Sequence, residues 1–249
     1  MPTAFASVKA LLFDVFGTVV DWRGSILREV RRVAQNKHWD LDAEAFADAW
    51  RAGYLPAMAK VRSGVLGWTT LDVLHRMILL NLLESFHLQG LEESEIDHLN
   101  RAWHRLEPWP DAAAGLRALK RDRIICTLSN GNLSLLVDLS KASDLPWDAI
   151  FSSELFRHYK PDPETYLGAC ELLSLPPAEV MMVAAHPLDL DAAKACGLAT
   201  AFVRRPGEAI GGTPGERTRE RDFDLQAEDF VDLADQLAGN PRRVRVVGR

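Results

Sequence analysis

The chain has 249 residues, of which 47% are hydrophobic and 26% charged, and a formal net charge of −6. That length supports a full core plus a second small domain, while the acidic balance argues against nucleic acid as the main partner, because phosphate-backbone binding needs clustered Lys and Arg. A mild basic cluster, Arg242, Arg243, Arg245 and Arg249, reads as a solvated tail, and no apolar run approaches the ~20 residues that cross a bilayer.

From the N-terminus, Lys9 precedes a short apolar run that Asp14 interrupts, and no cleavage-site pattern follows, so a secretory leader is not expected. The run Val8 to Phe13 ends at an acidic residue and a Gly-Thr turn, as a buried parallel strand with chemistry at its tip would. From about residue 24 to 104 the periodicity is helical. Ile26, Val30 and Val33 form one stripe and Phe46, Trp50 and Tyr54 another; Thr70 is placed to cap a helix carrying Leu74, Met77, Ile78 and Leu82, and Ser94 to cap one carrying Ile96, Leu99, Trp103 and Leu106.

A β/α rhythm follows from Pro108. Its parts are a helix through Leu116 and Leu119, a strand over Ile124 to Leu128, a helix through Leu135 and Leu139, and a short strand near Ile150. Pro163 suits the first turn of a helix running to Leu173. Val180 to Val183 reads as a strand, Asp189 to Cys196 as a helix closed by Gly197, and Thr200 to Val203 as another strand. Pro206 to Asp222 reads as a long loop, before a last helix through Phe230, Leu233 and Leu237 that Gly239 stops. The expected architecture is α/β, a doubly wound Rossmann-like parallel sheet formed by residues 1–22 and 105–249, with an inserted all-helical cap over 23–104. Cys126, Cys170 and Cys196 lie in apolar segments without CxxC spacing; they read as buried thiols of a cytoplasmic protein.

Four strand-tip segments occur in order: LLFDVFGT (11–18), TLSNGN (127–132), YKPDPETY (159–166) and VAAHPLDLDAA (183–193). Together, and with a helical insert after the first, they resemble the haloacid dehalogenase superfamily across nearly the whole chain. The resemblance places Asp14 at the nucleophile. Superfamily phosphatases carry a second Asp two residues later, where this chain has Phe16, and a fourth motif G-D-x-x-x-D, where it has Ala184-Ala185-His186-Pro187-Leu188-Asp189. A hard cation wants several oxygen ligands, so the expectation is no metal and no cofactor. A departing halide needs no proton, whereas an alkoxide does. The chain therefore resembles the L-2-haloacid dehalogenase branch, which displaces halide from a small 2-haloacid through an aspartyl ester.

That branch implies roles for the matching residues. Lys160 would keep Asp14 ionised by its adjacent charge, and Thr18 would orient the carboxylate. Ser129 with the backbone N–H groups of Val15 and Phe16 would bind the substrate carboxylate, an anion nest at a strand tip. Asn130 would face the halide, Arg51 would gather it from the cap, and Tyr166 would complete the polar shell. Asp189 would position or deprotonate the water that hydrolyses the ester; Asp191, roughly 200° around the helix, is the alternative. The branch's S-x-N-x-x-D pattern is altered at Ala184 and His186, so His186 stands either as a halide ligand, an aid to water or a hydrogen-bonded structural residue.

Plainer readings stand beside these. Phe16 reads as pocket wall, Trp22 as packing beneath the cap, Trp68 equally as halide-side lining or cap core, Asp21 and Arg23 as hinge contacts, and Asp162 as a helix cap. The competing functions are a phosphatase with a degenerate metal site and a non-catalytic relative that binds a small carboxylate or a partner. No nucleic acid or membrane partner is expected; oligomeric state is left open by the sequence, and because caps of this kind commonly pair in relatives, a homodimer is one reading.

Overall fold

A computed structural model describes residues 5–205, 208 and 223–239. The expected loop from Pro206 to Asp222, Glu208 apart, and the Arg242 to Arg249 cluster lie outside the described residues. A six-stranded parallel sheet runs in the order β5 (Ala149–Ser152), β4 (Ile124–Ser129), β1 (Ala10–Phe13), β6 (Val180–Ala184), β7 (Ala199–Val203), β8 (Leu225–Ala227). Successive strand residues face opposite sides. Leu11 and Phe13 accordingly enter one apolar cluster, with Leu116, Leu135, Leu139 and Phe230, while Ala10 and Leu12 enter another with Tyr166, Cys170, Leu190 and Ala193. The first face is covered by α6 (Ala112–Leu119), α7 (Leu133–Ala142) and α11 (Phe230–Leu237), the second by α9 (Pro163–Leu172) and α10 (Pro187–Ala195). Burial on both faces explains why these strands read as continuous apolar runs.

From β1 the chain builds outward through β4 and β5, then returns to the other side of β1 to lay down β6, β7 and β8. The strand order reverses at β1, and in open parallel sheets that reversal leaves a crevice beyond the carboxyl ends of the strands. Asp14 is the first residue after β1.

The helical insert leaves and re-enters through a two-strand antiparallel ribbon, β2 (Val20–Asp21) against β3 (Glu107–Pro108). Its helices are α1 (Trp22–Lys37), α2 (Ala43–Ala52), α3 (Tyr54–Arg62), α4 (Leu71–Ser85) and α5 (Glu93–Asn100), followed by a 3-10 turn over Arg101–Arg105. A short α8 (Ser153–Phe156) follows β5.

Several local expectations need correction. The stripe Phe46, Trp50, Tyr54 spans two helices, because the chain breaks at Gly53 and Tyr54 opens α3. On α4 the buried face is Leu71, Leu74, His75, Leu79 and Leu83, with Met77 43% exposed, because Trp50 and Trp103 occupy the side of the helix that carries His75. Ser94 lies inside α5; Glu92 precedes the helix and its N–H donates to the Glu95 carboxylate at 2.8 Å. Thr70 precedes α4 but its hydroxyl makes no cap bond. Instead Asn132, from the core, accepts the Asp72 N–H at 3.2 Å. Asp162 precedes α9, yet its carboxylate pairs with Arg62 of α3 at 2.6 Å, tying insert to core. Arg23 forks onto Asp48 at 2.7 and 2.8 Å inside the insert, while Asp21 of the ribbon accepts the Gly24 N–H. Sequence reading missed β2, β3 and β8, which are two or three residues long and too short to show a period.

The insert's core holds a buried histidine. His75 stacks on Trp103 with ring centroids 4.1 Å apart, and neither ring nitrogen has a hydrogen-bond partner among the described residues. Burial and the nearby Arg51 charge push its imidazole down to about 3. The native state therefore refuses a proton that the unfolded chain takes up near 6.5, so this contribution is complete above pH 6.5 and is lost as pH falls toward 3. Urea unfolding should show stability falling by about 2 kcal/mol from this group between pH 7 and pH 5, and His75→Phe should flatten that slope; an unchanged slope would count against the assignment.

Candidate active site

The site is assembled from five strand-end or loop segments at the carboxyl edge of the sheet. Asp14 follows β1, and Gly17, at φ +83°, turns the chain so that the Gly17 N–H reaches the Val20 carbonyl at 2.9 Å. This left-handed turn is open to glycine without the penalty a side chain incurs. It brings Thr18 back beneath the carboxylate, where its hydroxyl donates to Asp14 Oδ2 at 2.7 Å and accepts the Ala185 N–H at 2.9 Å. Arg205, which follows β7, donates to the Thr18 carbonyl at 2.8 Å and forks onto Asp111 at 2.7 and 3.0 Å, clamping this loop from below.

Lys160 occupies the loop before α9 and is 7% exposed. Its ammonium lies 3.0 Å from Asp14 Oδ1 and 2.5 Å from Asp189 Oδ2. Asp189, in the first turn of α10, also accepts the Tyr166 hydroxyl at 2.5 Å. Asp191 is exposed on the far side of that helix. His186 lies just before α10 and reaches Asp14 Oδ2 through Nδ1 at 2.9 Å and Glu208 Oε1 through Nε2 at 3.2 Å. Glu208 accepts the Trp22 Nε1–H as well, at 2.9 Å.

The charges follow from this packing. Burial alone would raise the Asp14 carboxyl, but the Lys160 charge, the hydrogen bond and charge of His186 and the Thr18 hydroxyl outweigh it and hold Asp14 well below the usual carboxylate range. Lys160 is pushed up: its two carboxylate partners overcome the burial that would lower it. Burial raises the Asp189 carboxyl, and the Asp14 charge adds to this against the pull of Lys160. Burial would lower His186, yet hydrogen bonds to Asp14 and Glu208 raise it to about 9. Burial and Asp189 push the Tyr166 phenol far up, so it stays a donor.

The remaining expected residues are placed less directly. Ser129 ends β4 and its Oγ accepts the Gly131 N–H at 3.1 Å. Asn130 is committed to scaffolding, with Oδ1 accepting the Ser153 hydroxyl at 2.7 Å and the Lys160 N–H at 2.8 Å, and Nδ2 directed at Met58 Sδ at 3.5 Å. Its side chain also meets the Tyr54 hydroxyl. The N–H groups of Val15 and Phe16 take no acceptor among the described residues. Phe16 is buried against Trp103, with centroids 6.0 Å apart, and Trp22 stacks on Trp103 beneath the helical insert. Trp68 packs on Tyr159 at 4.9 Å. Arg51 lies with its guanidinium 4.3 Å from the Tyr54 ring centroid and 5.3 Å from that of Trp22, and its buried Nη1 has no hydrogen-bond partner among the described residues.

Sequence reading missed Tyr54, Glu208 and Arg205. None sits in a motif, and Glu208 falls in a stretch whose composition signals a loop. The donor set does not suit a hard cation: Asp14's oxygens face Lys160, Thr18 and His186, position 185 offers a methyl group, and no cluster of three or more His, Cys, Asp or Glu that could hold a metal occurs among the described residues.

Residues 8–197 match the family model of the haloacid dehalogenase-like hydrolases. The chain belongs to that family. Within it, the chain is 32% identical to (S)-2-haloacid dehalogenase 4A of Burkholderia cepacia over 204 residues, 81% of this chain and 85% of that protein. A solved defluorinating L-2-haloacid dehalogenase is 46% identical, superimposes with a TM-score of 0.86 and covers 93% of this chain and 95% of its own. The L-2-haloacid dehalogenase of Xanthobacter autotrophicus with chloropropionic acid covalently bound is 25% identical, with a TM-score of 0.77 over 93% of this chain and 99% of that one. The family's sheet with its helical cap is the architecture found here, and no helix among the described residues is long and apolar enough to cross a membrane.

In this family member the Lys160 ammonium is the counter-charge of two buried carboxylates. Replacing Lys160 with Met should cost about 3–5 kcal/mol of unfolding free energy, the cost of leaving a buried charge unpaired. Adding Asp189→Asn should restore part of that loss; strictly additive single and double variants in urea would show that Lys160 and Asp189 are not coupled.

Proposed function

We propose that this chain hydrolyses the carbon–halogen bond of short (S)-2-haloalkanoic acids, giving (R)-2-hydroxyacids by inversion, with Asp14 as nucleophile. The observation that carries this reading is the Asp14 carboxylate itself: buried, held ionised by Lys160, oriented by Thr18, and without a carboxylate at position 16 or 185. Such a group attacks carbon and expels an anion that needs no proton. Relatives named (S)-2-haloacid dehalogenases, one of them solved with chloropropionic acid covalently bound, support the ester intermediate.

The substrate carboxylate fits the Val15 and Phe16 N–H groups and Ser129, at the strand tip beside the nucleophile. Arg51, whose buried guanidinium Nη1 has no hydrogen-bond partner among the described residues, receives the halide, and Tyr54 and Asn130 close the pocket around it. Displacement at C2 forms an ester through one Asp14 oxygen. Water then attacks the Asp14 carboxyl carbon, with Asp189 as base; its oxygens already serve Lys160 and Tyr166, yet a carboxylate retains lone pairs for a further donor. The raised proton affinity of Asp189 suits that task. Fluoride, the hardest halide to expel, calls for a charged donor, and Arg51 supplies one.

We divide the chain at the β2–β3 ribbon into a core, 1–22 and 105–249, and a cap, 23–104, whose closure over Asp14 keeps the site dry. We place the protein in the cytoplasm, where its three free thiols stay reduced. The exposed apolar side chains Leu55, Val73, Met77 and Leu80 on α3 and α4 support pairing with a second copy, which light scattering on purified protein resolves.

The deciding assay is halide release from (S)-2-chloropropionate in EDTA, with fluoride release from fluoroacetate followed by electrode. Turnover without added metal and its abolition in Asp14→Asn are expected. Magnesium-dependent phosphate release from a phosphoester, with no halide release, would overturn the reading in favour of a phosphatase.

A further inference from the structure

His186 stands between two carboxylates. Nδ1 is 2.9 Å from Asp14 Oδ2 and Nε2 is 3.2 Å from Glu208 Oε1. A neutral imidazole carries one N–H and has an acceptor nitrogen on its other side, so it satisfies one of these contacts and sets a lone pair against the other carboxylate. With both carboxyl groups as carboxylates, the two hydrogen bonds form together only when both nitrogens are protonated. Glu208 is well placed to enforce this. Its side chain is 6% exposed, the Trp22 indole N–H donates to the same oxygen at 2.9 Å, and the Glu208 N–H is tied to the Arg205 carbonyl at 3.1 Å. The carboxylate also lies against Gly17, where a Cβ would come within 2.3 Å of it. The bare Gly17 thus leaves the room that Glu208 fills.

The two oxygens of Asp14 differ accordingly. Oδ2 accepts from Thr18 and His186, whereas Oδ1 accepts from Lys160. We propose that Glu208 is a positioning residue that holds His186 as an imidazolium on Asp14 Oδ2, and that this pair serves hydrolysis of the aspartyl ester and not its formation. The inference rests on the dehalogenase reading above. The ester forms through Oδ1, which has the freer lone pair; its C2–O bond is made as the C2–halogen bond breaks and the halide leaves with the bonding electrons. Negative charge drains from Asp14 in that step, so donors on Oδ2 stabilise the starting carboxylate more than the transition state and slow the attack.

In the second step the relation reverses. Water adds to the Asp14 carboxyl carbon, one of its protons passing to Asp189, and negative charge returns to Oδ2 as a tetrahedral oxyanion between the Thr18 hydroxyl and the His186 imidazolium. Collapse breaks the bond from that carbon to Oδ1. Oδ1 departs as the product hydroxyl with the proton from Asp189, the water oxygen stays in Asp14, and its remaining proton is released as the carboxyl ionises. The groups that face His186 are Asp14 and Glu208, with Lys160 beyond Asp14 on its other oxygen. Its elevated proton affinity agrees with the two-sided geometry.

The test compares wild type and Glu208→Gln by rapid quench with (S)-2-chloropropionate at pH 8, following the halide burst and, by intact protein mass, the ester. In the variant, the halide burst should keep its rate within about twofold or quicken, while ester hydrolysis slows about 10- to 100-fold, in the range of a lost oxyanion donor, so that esterified protein accumulates. Nitrogen-15 NMR of the His186 ring at pH 8 should read a charged imidazole in wild type and a neutral one in the variant. A burst slowed as much as turnover, or a His186 that stays charged in Glu208→Gln with no ester build-up, overturns the proposal. His186→Asn, which removes the imidazolium and leaves Glu208 in place, should show the same ester build-up and serves if Glu208→Gln does not fold. Should wild type itself release no halide and form no ester, the dehalogenase reading fails, and the NMR comparison still decides whether Glu208 sets the charge of His186.

Discussion

A single buried ammonium between two carboxylates is the constraint around which the site is built. Lys160 touches Asp14 and Asp189 together, and bringing two like charges to one cation out of water is unfavourable unless every remaining lone pair and proton finds a partner. The fold meets that condition from several directions. Thr18 and His186 serve Asp14, Tyr166 serves Asp189, and Asn130 holds the Lys160 backbone. Thr18, Asn130 and His186 follow three different strands and Tyr166 comes from α9, so the reversal of strand order at β1 makes the arrangement possible.

The same constraint separates the chemistry of the two carboxylates. Asp14 gains more from cationic neighbours than it loses by burial and is an anion across the ordinary pH range; Asp189 shares its cation with Asp14 and binds its proton more tightly. One lysine shared by two equally buried carboxylates, with His186 and Thr18 on Asp14 and the phenol of Tyr166 on Asp189, thus leaves the first charged and gives the second the higher proton affinity. The insert packs onto the core beside the site: Arg51 of α2 lies over the rings of Tyr54 and Trp22, the Tyr54 hydroxyl of α3 meets Asn130, and Trp103 fills the space between Phe16, Trp22 and His75.

Much of this was legible in the sequence. The apolar run before Asp14, the β/α rhythm after Pro108 and the helical periodicity between them decide the α/β core and its insert, because buried parallel strands and amphipathic helices have periods that a linear reading detects. Asp14, Thr18, Lys160, Asp189 and Tyr166 could be named because four short strand-tip segments in one order carry a resemblance to the dehalogenase branch, which assigns those positions. The departures at Phe16, Ala184, Ala185 and His186 were equally visible as residue identities.

What the linear chain could not decide is where a side chain with several possible partners spends its hydrogen bonds. Asp162 and Thr70 sit at helix starts, yet Asp162 pairs with Arg62 and the α4 start is bonded by Asn132, since partners some 60 to 100 residues away offer a better bond than the local one. Asn130 turns to the Lys160 backbone and Ser153. His186 had three readings in sequence; a carboxylate on each side of its ring reduces them to one charge state, because Glu208 comes from beyond β7 and only the folded sheet brings it to Gly17 and Trp22. The sequence by itself determined which groups were available and in what order along the chain. Tertiary structure decided their charges, because proton affinity depends on burial and on neighbours that are distant in sequence.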